Sequence, residues 1–507
     1  MLTDHALVIQ LNRSDDVLIA CQDLSAGTLL DEYGLTVRDA VPAGHKVAVR
    51  NIASGQPVRR YNQIIGFASA PIAAGEHVHV QNLKVQAFER DYAFCTDAKP
   101  TNYVHPSATF SGIVRPDGRV ATRNYLGVLT TVNCSATVAK RISEAFTGDA
   151  LREYANVDGV VAITHTTGCG MDINGEGMDL LRRTLSGYAR HVNFCGILMI
   201  GLGCEVNQAE DLFSTQNLPP GPLLSSMTIQ ESGGTVGAIR RGVGRIREML
   251  PIANQATRQT VSAGHLIVGL QCGGSDGYSG ITANPALGVA VDLLVSHGGT
   301  AILSETPEIY GAEHLLTRRA ASQEIGEKLI SRIRWWEAYT ERERGEMNNN
   351  PSPGNKAGGL TTILEKSLGA VAKGGTTNLV DVVEYAEPVT AKGLVFMDTP
   401  GYDPVSATGQ VAGGANMICF TTGRGSVYGC KPAPSLKLAT SSRLFRQMED
   451  DMDINCGEIL DGVASIQELG QRIFELILET ASGRQSRSEL HGFGAEEFVP
   501  WMLGAVM

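Results

Sequence analysis

Four times in this 507-residue chain an apolar run stops at a cysteine and gives way to a helical pattern. Residues 126–132 lead to Asn133-Cys134, and residues 159–163 to His165-Thr166-Thr167-Gly168-Cys169. Residues 196–202 lead to Gly203-Cys204-Glu205. Residues 265–270 lead to Cys272-Gly273-Gly274-Ser275-Asp276, with Pro285 suited to the first turn of the helix that follows. The four cysteines are 35, 35 and 68 residues apart. A βα unit takes roughly 30 residues or more, so these spacings are one, one and about two units. Such a pattern demands parallel α/β layers. A cysteine at one strand end is ordinarily a small buried hydrophobe. Four at equivalent ends predict a single rim of thiols on the carboxyl edge of one sheet, where ligands of open α/β sheets bind.

The chain is too long for one ordinary domain. Residues 1–90 read as a small all-β domain of short strands and tight turns. They are punctuated by Leu24-Ser25-Ala26-Gly27, Val41-Pro42-Ala43-Gly44, Ile52-Ala53-Ser54-Gly55 and Ile72-Ala73-Ala74-Gly75. Residues 91–108 read as a linker. Residues 109–255 and 262–507 read as two parallel-sheet, Rossmann-like α/β domains, divided by the polar, weakly periodic stretch around 254–262.

Net charge is −11 with no basic run, which argues against nucleic acid or an anionic membrane as partner. No apolar run approaches the ~20 residues of a membrane span. Met1-Leu2-Thr3-Asp4-His5 lacks the basic and apolar regions of a leader, and the ten cysteines form no CxxC pair. The expectation is a cytoplasmic protein with reduced thiols.

The chemistry-bearing residues fall in Gly-rich loops. His45 follows a turn glycine, and His77 and His79 alternate along a strand and so share a face. Imidazoles on one face bind a metal or move protons. Lys356 stands in Asn350-Pro351-Ser352-Pro353-Gly354-Asn355-Lys356, and Arg424 in Thr421-Thr422-Gly423-Arg424-Gly425. An arginine between glycines can hold a carboxylate bidentately. Thr399-Pro400-Gly401-Tyr402-Asp403 is a third such loop. There is no Walker sequence, and no GxGxxG opens a helix after the first strand, so nucleotide binding is weakly supported.

Taken together, these motifs resemble the altronate/galactarate dehydratase family over nearly the whole chain. The N-terminal part is similar to a SAF, or β-clip, domain, carrying Gly44-His45-Lys46 and Gly75-Glu76-His77-Val78-His79. The body carries Arg123-Asn124, Gly168-Cys169, Gly201-Leu202-Gly203-Cys204-Glu205, Cys272-Gly273-Gly274-Ser275-Asp276, Ser279-Gly280-Ile281-Thr282-Ala283-Asn284-Pro285 and the Lys356 and Arg424 loops. His77-Val78-His79 is closer to the altronate branch, whereas Asp453-Ile454-Asn455 is closer to the galactarate branch. A related branch, the sulfolactate sulfo-lyases, carries the same modules on separate chains.

The resemblance implies removal of water from a 2,3-dihydroxy sugar acid to give a 2-keto-3-deoxy acid, in a homo-oligomer such as a dimer. It also implies iron, as Fe(II) or an iron–sulfur cluster. Cys134, Cys169, Cys204 and Cys272 are expected to hold it, with the histidines of the small domain as the alternative. On that view His45, His77 and His79 serve as acid and base together with Lys356, delivered by the small domain as a lid. Arg123, Asn124, Ser275, Asp276, Asn284, Asn355 and Arg424 are the expected substrate-binding residues. The rivals are a C–S lyase acting on sulfolactate and a non-catalytic sugar-acid-binding protein.

Overall fold

The computed structural model describes residues 7–86 and 90–504. The stretch Met1 to His5, and Phe88 near the start of the linker, lie outside them. The small N-terminal domain is all antiparallel. One sheet orders Val8–Ile9, Val17–Ala20, Lys46–Ala48 and His77–Val78; another orders Pro57–Arg60, Gln63–Ala68 and Leu83–Lys84. The recurrent four-residue phrase is one turn used four times. Gly27, Gly44, Gly55 and Gly75 all have φ between +81° and +87°, which only glycine adopts without strain.

The middle domain is a parallel sheet in the order Gly159–Ile163, Tyr125–Thr130, Phe194–Gly201, Leu224–Thr228. The C-terminal domain is a seven-stranded parallel sheet. Its order is Leu379–Val383, Leu394–Met397, Thr300–Leu303, Ile267–Cys272, Met417–Thr422, Ser435–Ala439, Ile454–Asn455. Its central strands are buried on both faces, as parallel strands between helical layers must be. The polar stretch read as a plain boundary is in part a strand: Arg258–Ser262 pairs antiparallel with Thr109–Val114, so the ends of the middle domain are stitched together. Among the described residues, no helix is long and apolar enough to cross a membrane.

Two sheets rather than one carry the cysteines. Cys134, Cys169 and Cys204 follow adjacent strands of the middle sheet, while Cys272 ends a strand of the other. The expected single rim of four thiols is therefore split three and one. Repeating spacing fixes the βα rhythm but not which edges pair.

The small domain is no loose lid. Its Val17, Ala48, Ile52, Val58 and Ile65 belong to one continuous core with Val268, Leu270 and Leu287 of the C-terminal domain. A buried ion triad crosses the junction. Glu365 pairs with Lys46 at 2.9 Å and with Arg60 at 2.6 Å, and Arg60 also donates to the Gly277 carbonyl at 2.6 Å. The linker lies along the C-terminal domain too, with Cys95 N donating to Thr317 O and Val104 N to Ser296 O.

Candidate active site

In the seven-stranded sheet the chain first builds outward from Ile267–Cys272, then returns to start again with Met417–Thr422 on its other side. Between these two strands lies the topological switch point, where the loops diverge and leave a crevice. The loop after Cys272 and the loop bearing Arg424 meet there. Gly423 makes the approach possible: a Cβ on it would lie 2.1 Å from Asp276 Cγ. The buried Asp276 carboxylate accepts from Tyr278 N, Ser279 N, Ser279 Oγ and Thr440 Oγ1 at 2.9–3.1 Å. Burial raises its pKa against the pull of those bonds. Asp276 thus braces the loop.

Asn355 and Asn284 also act on the scaffold. Asn355 Nδ2 donates to Ser275 O at 2.8 Å, and Asn284 ties Gly369 O to the Thr421 hydroxyl. Among the described residues, no hydrogen bond occupies the Ser275 hydroxyl or the guanidinium of Arg424. Lys356, on the short helix Pro353–Ala357, likewise has an ammonium unpartnered among the described residues.

The three histidines come together at the junction of the small domain with that helix. His45 Nδ1 lies 3.0 Å from His77 Nε2, and the His77 and His79 rings stack at 5.4 Å. The three offer nitrogens within 4.8 Å of one another. His45 Nε2 faces the Ala357 carbonyl at 3.3 Å. Burial holds all three rings neutral, lowering His77 to about 4 and His79 to about 3, with nearby Lys46 and the other imidazoles adding to the effect. His79 Nδ1 is buried without a partner among the described residues. Neutral imidazoles with a free lone pair turned inward fit a borderline divalent metal such as Fe(II).

A second cluster lies buried beneath the rim. Cys272 Sγ is 2.8 Å from Lys373 Nζ, 3.4 Å from Glu308 and 3.7 Å from Glu305, and Lys373 reaches Glu305 at 3.2 Å. Lys366 pairs with Glu308 and with Asn350, both at 2.7 Å. Burial and the neighbouring Glu308 push Glu305 up to about 8, and push Asp403 up to about 6. Glu305 is in the left-handed region at φ 70°, and its Oε1 has no partner among the described residues. Cys272, Glu305 and Glu308 have the proximity of metal ligands, but the ammonium of Lys373 already sits among them as the counter-charge. Burial raises the Cys272 thiol pKa, which opposes its forming a thiolate. The expectation that Cys272 shares iron with the other three cysteines is corrected on both counts.

Cys134, Cys169 and Cys204 are the exposed cysteines of the described chain. Their loops are tied together: Asn133 N donates to Thr167 O, Asn207 N to Gly168 O, and Thr131 Oγ1 to Glu205 at 2.6 Å. Cys134 and Cys204 flank the switch point of the middle sheet, between Tyr125–Thr130 and Phe194–Gly201. Arg123 and Asn124 do not join any site. They precede their strand and so stand at its amino edge. Arg123 is spent on Glu489 at 2.6 Å and on the Thr122, Thr480 and Arg484 carbonyls; Asn124 is spent on Asn156 O, Ala253 O and Arg115. Both are structural clamps.

A cavity of about 640 Å³ opens between the small domain and the switch point, lined by Asp23, Asp276, Ala357, Arg424, Arg443 and Arg446 among others. A second, of about 580 Å³, lies along Lys356. Sequence reasoning missed Glu308, Lys366, Lys373 and the Lys46–Arg60–Glu365 triad. It singled out the Asp403 loop without a role for Asp403.

Comparison with known proteins identifies the family. Residues 6–86 match the altronate/galactarate dehydratase SAF domain, 112–254 the second domain of D-galactarate dehydratase/altronate hydrolase, and 263–506 the D-galactarate/altronate dehydratase C-terminal domain. The chain is 37% identical over 493 residues to the galactarate dehydratase (L-threo-forming) of Escherichia coli (strain K12), covering 95% of this chain and 94% of that one. It is 33% identical over 494 residues to the altronate dehydratase of Bacillus subtilis (strain 168), covering 96% and 97%. The (2R)-sulfolactate sulfo-lyase subunit beta of Chromohalobacter salexigens is 31% identical over 396 residues, 77% of this chain and 96% of its own. The chain belongs to the altronate/galactarate dehydratase family.

Proposed function

We propose that this enzyme removes water from a 2,3-dihydroxy sugar acid, of the galactarate or altronate kind, to give a 2-keto-3-deoxy acid. The observation that carries the reading is a juxtaposition. His45, clustered with His77 and His79, faces the Ala357 carbonyl at the end of the Pro353–Ala357 helix, beside the cavity that holds Asp276 and Arg424. The substrate's α-proton is barely acidic and hydroxide leaves poorly. His45, His77 and His79 would hold the iron that the family resemblance implies, which supplies Lewis-acid polarisation of carboxylate and hydroxyl oxygens.

Arg424, an unpaired cation lining the 640 Å³ cavity, holds the carboxylate and offsets the negative charge that develops on it, while Lys356 faces the other cavity. Asp403, half-buried and packed against Gly273 of the loop that meets Arg424, with its pKa raised to about 6, is the base we assign to the α-proton. The electron pair left behind forms the C2–C3 double bond as the C3–O bond breaks, and the departing hydroxide takes the proton that Asp403 removed, leaving as water and returning Asp403 to its ionised form. The enol then tautomerises to the ketone. Anaerobically purified, iron-supplied protein offered galactarate, altronate and sulfolactate tests this reading. Keto acid from a sugar acid supports it; sulfite alone, or no product with iron bound, refutes it.

A second reading places iron at Cys134, Cys169 and Cys204. It is favoured by their common exposure at adjoining strand ends, and the three thiols do not lie in mutual ligand contact. A bridging iron–sulfur core, unlike a single ion, does not need its cysteine ligands in contact with one another. Acid-labile sulfide and visible absorption that vanish in Cys204→Ser but persist in His79→Ala would decide for it.

A further inference from the structure

Arg443 and Arg446 lie three residues apart on Ser442–Gln447, the helix that follows Ser435–Ala439 in the seven-stranded sheet. That strand pairs with Met417–Thr422, whose end carries Arg424. Residues three apart share a helix face, and both arginines line the 640 Å³ cavity with Arg424. The helix cannot drift. Ser441 Oγ caps Leu444 N at 3.2 Å, Ser442 bonds Asp461 and Asn455, and Ser442 and Leu444 are buried.

None of the three guanidinium groups has a hydrogen bond or ion pair among the described residues. The carboxylates of the same cavity form no ion pair with them and are turned to neutral donors instead. Asp276 is held by four donors, Asp461 accepts from Ser442 Oγ at 2.5 Å, and Asp23 accepts from Ala43 N at 2.8 Å. The lining sets three aspartates against three exposed arginines, and the guanidinium forks, paired with none of those aspartates, are open to a bidentate anion. The volume is within the range of small-molecule sites.

A sugar acid with one carboxylate needs one such anchor, and Arg424 supplies it. We infer that Arg443 and Arg446 hold a second carboxylate at the far end of the substrate, so that the enzyme selects a dicarboxylic sugar acid over a monocarboxylic one. This rests on the cavity being the substrate site proposed above. A neutral terminal hydroxymethyl offers the two guanidinium groups neither charge nor a bidentate partner.

Isothermal titration of the iron-loaded protein with galactarate, which has two carboxylates, and altronate, which has one, tests this alongside steady-state turnover of both. Wild type should bind galactarate at least tenfold more tightly. The doubly substituted Arg443→Gln/Arg446→Gln protein, checked for an unchanged melting temperature, should lose that preference through a weaker Kd and a higher KM for galactarate. Each single variant should lose part of it, which covers the case of a double variant that fails to fold. Equal or tighter binding of altronate by wild type overturns the inference, as does a galactarate affinity indifferent to both arginines. Arginine-dependent galactarate binding without turnover of either acid would leave this inference standing while defeating the dehydration reading.

Discussion

Glu365→Gln probes the junction on which the site depends. In the native protein the Glu365 carboxylate is fully buried and accepts from Lys46, Arg60, Thr361 N and Thr361 Oγ1. Burial alone would raise its pKa, but Lys46 and Arg60 hold it down to about 2. Set against its ordinary 4.5, at 1.36 kcal/mol per unit, the ionised form is favoured by about 3 kcal/mol. Breaking a buried pair by removing one partner costs about 3–5 kcal/mol, since the other charge is stranded. The two figures agree for loss of the carboxylate. They do not make the triad a net store of stability, because burial lowers the pKa of Lys46 even beside Glu365.

The neutral amide that Glu365→Gln introduces would leave two buried cations without an anion, at the place where small and C-terminal domains share a core. Calorimetry of wild type should show both domains melting together. In Glu365→Gln the small domain should melt separately, about 12–24 °C lower at 4–8 °C per kcal/mol for a domain of its size. The linkage has a definite sign: the contribution is complete above the ordinary carboxylate range and lost as pH falls toward about 2. A Lys46→Met/Arg60→Met/Glu365→Leu protein, which strands no charge, should recover joint melting. A single unshifted transition in Glu365→Gln, or failure of the triple variant to recover, would refute the argument.

Other outcomes follow from single residues. Because Asp403 must be ionised to take a proton, kcat/KM should fall about tenfold per pH unit below about 6, and Asp403→Asn should be inactive with no such limb. Arg123→Ala should destabilise the protein by about 3–5 kcal/mol in denaturant titration, through the stranded Glu489, while KM stays at the wild-type value. Cys272→Ser should leave iron per chain unchanged by elemental analysis, since Lys373 already balances that cluster. Lys373→Met should lower stability in the same denaturant titration, because Glu305 would lose the one cation that pairs with it among the described residues.

What could be read from the sequence was local, and what could not was pairing. The apolar run before each cysteine announced a strand and its carboxyl end, and the switch point bears out that reading for Cys272 and Arg424. Ser435–Ala439 and Leu224–Thr228 carry lysine or serines within the run, so neither looked like a buried strand, although Lys437 is fully covered while donating to Ser426 O. Arg123 and Asn124 were misread for a reason the sequence itself contained. They precede the strand Tyr125–Thr130, and the residues before a parallel strand stand at the edge away from the ligand. The buried network was legible by a similar argument. Lys366 lies on Ile363–Val371, which is buried at every position, and Lys373 is seven residues, about two helical turns, further on. A helix with no solvent face cannot leave a lysine solvated, so each ammonium required a buried anion. The neighbouring strand end, with Glu305 and Glu308, offered a pair of carboxylates at matching need, and that demand for counter-charge is what set Cys272 among ions rather than on a metal.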